Sequence, residues 1–475
     1  MVCPGTRSFG PDICVFEVLF IVIGRFWGPD IPFSAQPSGQ LGCSLKRGIA
    51  AKRFLQVFRH VHNRRKKLSP AVGKSRVRDC RSSHQEERRE VWKRHHALEK
   101  ERPLILIFPE GSWRALLSED QWVCQDPFLR SLERQLKIKI YTHEKFDTDY
   151  VVEKTLNVSK HIGHTGWGLE VQHNESEDPT GAWGFTPTMK TYEDAKKLVH
   201  PERTVDEKKA NDQLNLARDI FGDILTVRQK GITHNACHLT LLFSGWRGLQ
   251  QICMDMIEAP NWVHEVMAFI SEGLVNLWQQ YEAHNLLSIN NEDDYHSSGG
   301  IGYSDELPAL GFDPDYVRLC DVWGSAESQE MTMVSPQMHE ELVMKYEAEF
   351  LKPFGLNGYG CSDDLTRKLD TVCTLPQMRR VSVSPYADVQ KSAQRLGGDF
   401  ILSWKSDPRD IAGGFYPETV RTRIRSALQA ARDNGCAFEM ILKDTHTCDK
   451  RPERFAQWSK IAREEVNRAQ TSSDA

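Results

Sequence analysis

Closely spaced cysteine pairs are missing from this 475-residue chain. Its twelve cysteines, at positions 3, 14, 43, 80, 124, 237, 253, 320, 361, 373, 436 and 448, never form a Cys-x-x-Cys. That excludes a zinc knuckle and a thioredoxin-type motif. The cysteines are also too sparse for a disulfide scaffold, so a reducing, cytoplasmic setting is expected. Long apolar runs are missing too. A bilayer span needs roughly 18–20 such residues, and the nearest stretch, Ile13–Ile23, is short and interrupted by Glu17. No small-x-small cleavage site follows it, so neither an anchor nor a secretory leader is expected. There is no Gly-x-Gly-x-x-Gly after a strand, no Walker A loop and no Gly-x-Ser-x-Gly. A dinucleotide fold, a P-loop and a serine acyl-enzyme lose their usual signatures.

The charge balance is uneven along the chain. The whole sequence has 61 Lys+Arg against 65 Asp+Glu, a net charge of −4. Residues 1–100 hold 20 basic and 8 acidic side chains, leaving 41 and 57 for the rest, so the two parts carry +12 and −16. An acidic body is a poor match for nucleic acid, whose binding relies on neutralising phosphates with Lys and Arg. Residues 1–75 show neither helical nor strand periodicity, and Arg64-Arg65-Lys66-Lys67 reads as part of a disordered basic tail. The next methionine after Met1 is Met189, so an over-extended reading frame, with a start near Val72 or Val77, would also account for the patternless segment. Residues 1–85 are thus expected as a low-structure extension and 86–475 as the folded unit.

From Pro103 onward, short apolar runs alternate with amphipathic stretches. Eight runs read as strands: Leu104–Phe108, Ile224–Thr233, Leu286–Asn291, Val322–Ala326, Leu356–Cys361, Arg380–Ser384, Phe400–Trp404 and Phe438–Lys443. Between them Val266, Ile270, Leu274, Leu277 and Tyr281 share one helical face, as do Met338, Leu342, Tyr346 and Phe350. Strands alternating with helices imply a parallel sheet, and eight such units fit a (β/α)8 barrel of TIM type. A doubly wound open sheet is the other architecture compatible with the pattern. The interval 109–223, with a helix near Phe128–Leu136 and a strand at Lys137–Thr142, is expected as an antiparallel insertion.

In such a barrel the chemistry gathers at the C-terminal ends of the strands. Those positions hold Glu110, Trp113 and Arg114 after the first strand, and His234 and His238 after the second. Next come Asn290, Glu292–Asp294, His296 and Ser297-Ser298-Gly299-Gly300, then Glu327, then Tyr359 with Cys361. Trp404-Lys405 and Lys443-Asp444-Thr445-His446-Thr447-Cys448 complete the set. His234 and His238 have the spacing of two zinc ligands on a helix, but Asn235 stands where that motif has Glu. Glu110 with Arg114 reads equally as a surface i,i+4 pair, and Glu292–Asp294 as a solvated loop. A Lys, an Asp and a His together suit proton handling. Cys361, His446 and Cys448 would supply thiolate and imidazole for a zinc ion with an open fourth position; the plainer reading of Cys361 is a small buried residue.

Four segments carry a family resemblance: Gly358-Tyr359-Gly360-Cys361, Ser382-Val383-Ser384-Pro385-Tyr386-Ala387-Asp388-Val389, Ser403-Trp404-Lys405 and Ile441-Leu442-Lys443-Asp444-Thr445-His446-Thr447. Through them, residues from about Glu90 to Arg468 resemble the uroporphyrinogen decarboxylase (URO-D) superfamily. The likeness is to its longer bacterial branch, related to corrinoid-dependent methyltransferases. The resemblance implies a (β/α)8 barrel and methyl transfer or demethylation of a small methylated compound with a corrinoid-carrying partner. Metal-independent decarboxylation of a tetrapyrrole or small carboxylate is the alternative, and a non-catalytic ligand-binding barrel a second. In the enzyme readings His446 and Lys443 donate protons or hold an anion, Asp444 orients them, Arg114 grips an anionic group and Glu327 is a base. Trp113, Asn290, His296, Tyr359, Trp404 and Lys405 would line the substrate. Two departures stand out. The decarboxylases carry two arginines after the first strand where this chain has only Arg114, and the methyltransferases have a His-x-Cys pair where Tyr359 precedes Cys361 by two.

Overall fold

The computed structural model describes residues 74–99, 101–174 and 184–471. The basic run at 64–67, the stretch Ile13–Ile23 and the alternative starts near Val72 lie outside the described residues. Helix α1 (Lys74–His96) begins ahead of the boundary expected at residue 86 and runs into the folded unit. No described helix is long and apolar enough to cross a membrane.

The centre is a seven-stranded, all-parallel sheet: β1 (Leu104–Ile107), β2 (Ala236–Cys237), β3 (Trp323–Ala326), β4 (Leu356–Tyr359), β5 (Met378–Val383), β6 (Ile401–Lys405) and β7 (Ala437–Leu442). Its spatial order is β1-β7-β6-β5-β4-β3-β2, so β2 to β7 lie side by side in chain order and the first strand joins the last. Helices on the connections include α2 (Pro127–Lys145), α3 (Pro260–Ala283), α4 (Lys345–Leu351), α5 (Pro417–Asp433) and α6 (Glu453–Thr471). The alternation expected from sequence is therefore present, while no ladder joins edge strands β1 and β2 among the described residues.

Two expected strands differ, and together they explain the open edge. In the second, only Thr226–Lys230 is extended, and it pairs with Thr155–Ser159 outside the large sheet. The third, Leu286–Asn291, makes one isolated bridge, Ile232 to Leu287. Gly231 packs so closely on the Leu286 carbonyl that a Cβ there would lie 1.9 Å from the oxygen. Asn290 then substitutes side-chain bonds for a ladder. Its amide donates to the carbonyls of Thr233 and Trp323 at 2.7 and 3.0 Å, and its oxygen accepts from the Trp323 N–H at 2.9 Å. The insertion holds short antiparallel pairs, Ile162–His164 with Arg203–Val205 and Gln172–His173 with Phe185–Thr186. Its expected strand Lys137–Thr142 is instead the second half of α2. The Asp126 carboxylate caps that helix, accepting from the N–H groups of Phe128 and Leu129, and Leu132 and Ile140 keep its buried face going through the β-branched run.

One sheet face packs on α5 and α6 through residues such as Leu402, Phe438, Met440 and Leu442, against Ile424, Leu428, Phe455 and Trp458. The other face is covered largely by irregular chain. Residues 296–303 run along it, with Ser297 against Gly358, Gly299 against Lys443 and Ile441, and Gly300 against Arg380. Gly299 has φ +84°, and a Cβ on Gly300 would meet the Arg380 guanidinium at 2.9 Å, so this path requires glycine at both. The end of α1 closes the same face, with Trp92 packed among Leu104, Leu106, Ile301 and Ile441.

Candidate active site

Strands β1, β2, β3, β4 and β7 each deliver polar side chains to one cluster just past their C-terminal ends or in the loop that follows, and residues 295–298 add to it. Lys443, directly after β7, is 4% exposed. Its ammonium donates to Ser298 Oγ at 3.0 Å and lies 3.1 Å from the Asp444 carboxylate and 3.5 Å from Cys361 Sγ. Asp444 accepts from Ser362 Oγ at 2.8 Å, and its own N–H donates to Glu110 Oε2 at 3.0 Å. The Cys361 thiol also interacts with the Glu327 carboxylate, which is 3.2 Å from His238 Nδ1. Tyr295 forms a wall, edge-on to Phe108 at 5.0 Å and tilted against His234 at 5.9 Å. Three non-glycine residues here, Glu110, Ser297 and Asp444, have φ of 47°, 52° and 58°. Left-handed backbone at such residues costs on the order of 1–3 kcal/mol each and persists where surrounding structure holds it.

The electrostatics follow from the neighbours. Burial would raise the Glu327 carboxyl, but His238, then Cys361 and Lys443, hold it below the ordinary range, so it is ionised. Burial raises the Cys361 thiol and the Glu327 charge adds to this, against the opposing pull of Lys443. The thiol therefore keeps its proton and offers it to Glu327. Burial would lower the Lys443 ammonium, yet Tyr295, Cys361, Asp444 and Glu110 outweigh it and hold the group charged. Burial lifts the Glu110 carboxyl, with Lys443 acting the other way. The result is a thiol with both a base and a fixed cation for neighbours.

Of the expected site residues, Lys443, Asp444, Glu327 and Cys361 come together. The others do not. Arg114 and His446 are exposed, although the His446 charge reaches Glu110. Trp113 packs on Tyr141 at 5.7 Å, and Asn290 is spent on backbone near β3. His296 is buried against Trp323 at 4.6 Å, and Trp404 stacks on Phe438 at 6.5 Å. Tyr359 points to the opposite sheet face, donating to Glu347 at 2.7 Å and bonded to Ser328 at 2.9 Å. Lys405 lies deeper, bonded to Ser403 Oγ at 2.7 Å and the Gly299 carbonyl at 3.3 Å; burial lowers it to about 7.

The expected zinc ligands are not gathered. Cys448 sits in the apolar core with Phe455 and Trp458, and His446 faces outward. Among the described residues the one trio with donor atoms close enough to share an ion is Glu292, Asp293 and Asp294, and Lys230, Arg228 and Lys139 already answer their charge. His238, Tyr295, Ser298 and Ser362 complete the cluster beyond the expected set. His238 and Ser298 were visible as strand-end residues; Tyr295 and Ser362 gave no spacing signal.

No protein-family model matches the chain. No curated protein matches it either. Among solved structures, a methyltransferase from Methanosarcina mazei aligns over 80% of this chain and 99% of its own, with a TM-score of 0.43 and 10% sequence identity.

Proposed function

We propose that the chain is a URO-D-type enzyme that moves a methyl group between a small methylated compound and a corrinoid carried by a partner protein. The observation that supports this is the convergence on one sulfur: Lys443, Glu327, Ser298 and Ser362 all address Cys361. A soft thiol with a base in contact and a cation beside it suits exchange of a one-carbon group. Gripping a polycarboxylate needs several guanidinium forks. Here Arg114 faces solvent and Arg380 is locked to Glu439 at 2.9 Å, which weighs against a tetrapyrrole substrate. Zinc does not fit the donors present, because the Lys443 ammonium stands beside the sulfur a second cation would need and Cys448 is in the core. The corrinoid would supply the methyl acceptor or donor, and its carrier would approach the strand ends, beyond which Tyr386 and Met333 stand exposed.

In this reading Glu327 takes the thiol proton, His238 holds Glu327 ionised and oriented, and Lys443 steadies negative charge on sulfur. The test offers small methylated amines, thioethers and aryl ethers to the full chain with free reduced cobalamin, read by its visible spectrum. Methylcobalamin should form, and Cys361→Ser should slow it about a hundredfold, the scale of losing one positioned proton-transfer partner. Carbon dioxide release from small carboxylates that is indifferent to Cys361→Ser would replace this reading with decarboxylation. No reaction of either kind would leave a ligand-binding barrel.

A further inference from the structure

The cluster also has a charge sign and a wall that narrow the methyl donor. Three carboxylates, Glu110, Glu327 and Asp444, border it against one ammonium, Lys443, which is already paired with Asp444. Lys405, the next cation inward, is separated from the opening by its bonds to Ser403 and Gly299 and is 2% exposed. Rings make another side of the cluster: Phe108, Tyr295 and His234, with Tyr295 38% exposed and within electrostatic reach of Lys443, whose charge Asp444 already pairs. Aromatic faces beside carboxylates favour a cation without N–H donors, since the rings attract its charge and ask for no hydrogen bond. The Cys361 sulfur, 9% exposed, lies within electrostatic reach of both Tyr295 and Glu327.

We infer that Cys361 is itself the first methyl acceptor, taking the group from a small onium compound, a sulfonium or quaternary ammonium, held between the ring wall and the carboxylates. This rests on the methyl-transfer reading and adds a covalent intermediate and a donor class to it. In the step, an S–C bond forms on Cys361 as the C–S or C–N bond of the donor breaks. The electron pair of the broken bond stays on the leaving heteroatom, which departs as a neutral sulfide or amine. The thiol proton goes to Glu327. No oxidant or reductant is consumed. A neutral leaving group suits this place, where a departing anion would meet the Glu110 and Glu327 carboxylates. The Lys443–Asp444 pair is neutral as a unit and leaves Glu110 and Glu327 to face the donor.

The test uses the full chain with trimethylsulfonium, and in parallel with methyl sulfate, a methyl donor of opposite charge. Intact mass and peptide mapping locate any added methyl, and headspace analysis measures dimethyl sulfide. Cys361 should gain one methyl from trimethylsulfonium far faster than Cys124, Cys237, Cys253 or Cys373, with dimethyl sulfide released in equal amount. Glu327→Gln should slow this about a hundredfold, and methyl sulfate should label Cys361 no faster than the other cysteines. Should Glu327→Gln lose its fold, Tyr295→Leu keeps the proposal testable: it should lower labelling by trimethylsulfonium and leave alkylation of Cys361 by neutral iodoacetamide unchanged. Equal labelling by both methyl donors, or loss of both reactions together in Tyr295→Leu, overturns the onium assignment. Dimethyl sulfide released without methyl on Cys361 overturns the covalent step and leaves methyl transfer standing. Neither release nor labelling above the Cys361→Ser control overturns both.

Discussion

Glu439, in the middle of β7, is fully buried and faces Arg380 at 2.9 Å, His95 at 3.3 Å and the hydroxyl of Ser403. Glu327, just past β3, is 20% exposed and faces His238 and Cys361. Both are ionised. Burial would raise each, but Arg380 and His95 hold Glu439 far below its ordinary value, and His238 does the same for Glu327 more gently. The deeper layer is closed: Arg380 also donates to the Ile301 carbonyl at 3.0 Å and to His96 Nε2 at 2.6 Å, and stacks on Trp323. Its charges answer one another. The cleft layer, a few residues further along the sheet, ends in a protonated thiol beside an ionised carboxylate. The same residue types thus fix the fold in one layer and stay available for chemistry in the next. What differs is whether each charge has its counter-charge inside the protein.

That contrast can be broken most severely at Arg380. Arg380→Met should destabilise the chain by about 3–5 kcal/mol, because Glu439 would be left buried without its main partner. Urea unfolding followed by circular dichroism would show it. A loss below about 1 kcal/mol would mean the deep layer is not the closed unit described.

An effect of similar total size, but spread over pH, is expected on the opposite sheet face. Glu347, bonded to the Tyr359 hydroxyl, is raised to about 8 by burial. The folded chain keeps this proton where the unfolded chain has released it. The resulting stabilisation is complete below the ordinary carboxylate range and fades as pH rises toward about 8, at about 1.4 kcal/mol per pH unit. Glu347→Gln should flatten that decline in urea midpoints measured between about pH 5 and about pH 8. An unchanged slope would place the titration elsewhere.

The smallest effect should come from Arg114→Ala. The residue faces solvent outside the cluster, so stability should stay within about 0.5 kcal/mol and turnover should be unaltered. A large loss of turnover would draw Arg114 back into the cleft and restore the anion-gripping reading.

The sequence made the repeating unit legible because strand–helix alternation is written in local periodicity. Six of the eight expected runs became strands of the central sheet. The other two failed for a non-local reason, since neither the Gly231 contact with Leu286 nor the Asn290 bonds to Trp323 leaves a mark in spacing. Strand ends likewise pointed to Lys443, Asp444, Glu327 and Cys361, because topology alone gathers them. Facing direction was the weaker inference: Tyr359 and Cys361 are two apart, yet the turn at Gly360, φ +91°, separates a tyrosine on the helix side from a thiol in the cleft. Arg380 and Glu439 went unnoticed since a charge inside an apolar run looks like noise until its partner is known.

The joining of β1 to β7 has a consequence for how the chain is made. Leu104 pairs with Glu439, and His95 and His96 dock on Glu439 and Arg380, so the earliest folded segments await the latest. Contacts of such sequence separation form slowly. During synthesis β1 and α1 would wait with apolar faces exposed, so a nascent or C-terminally shortened chain would be aggregation-prone in a way the finished protein is not.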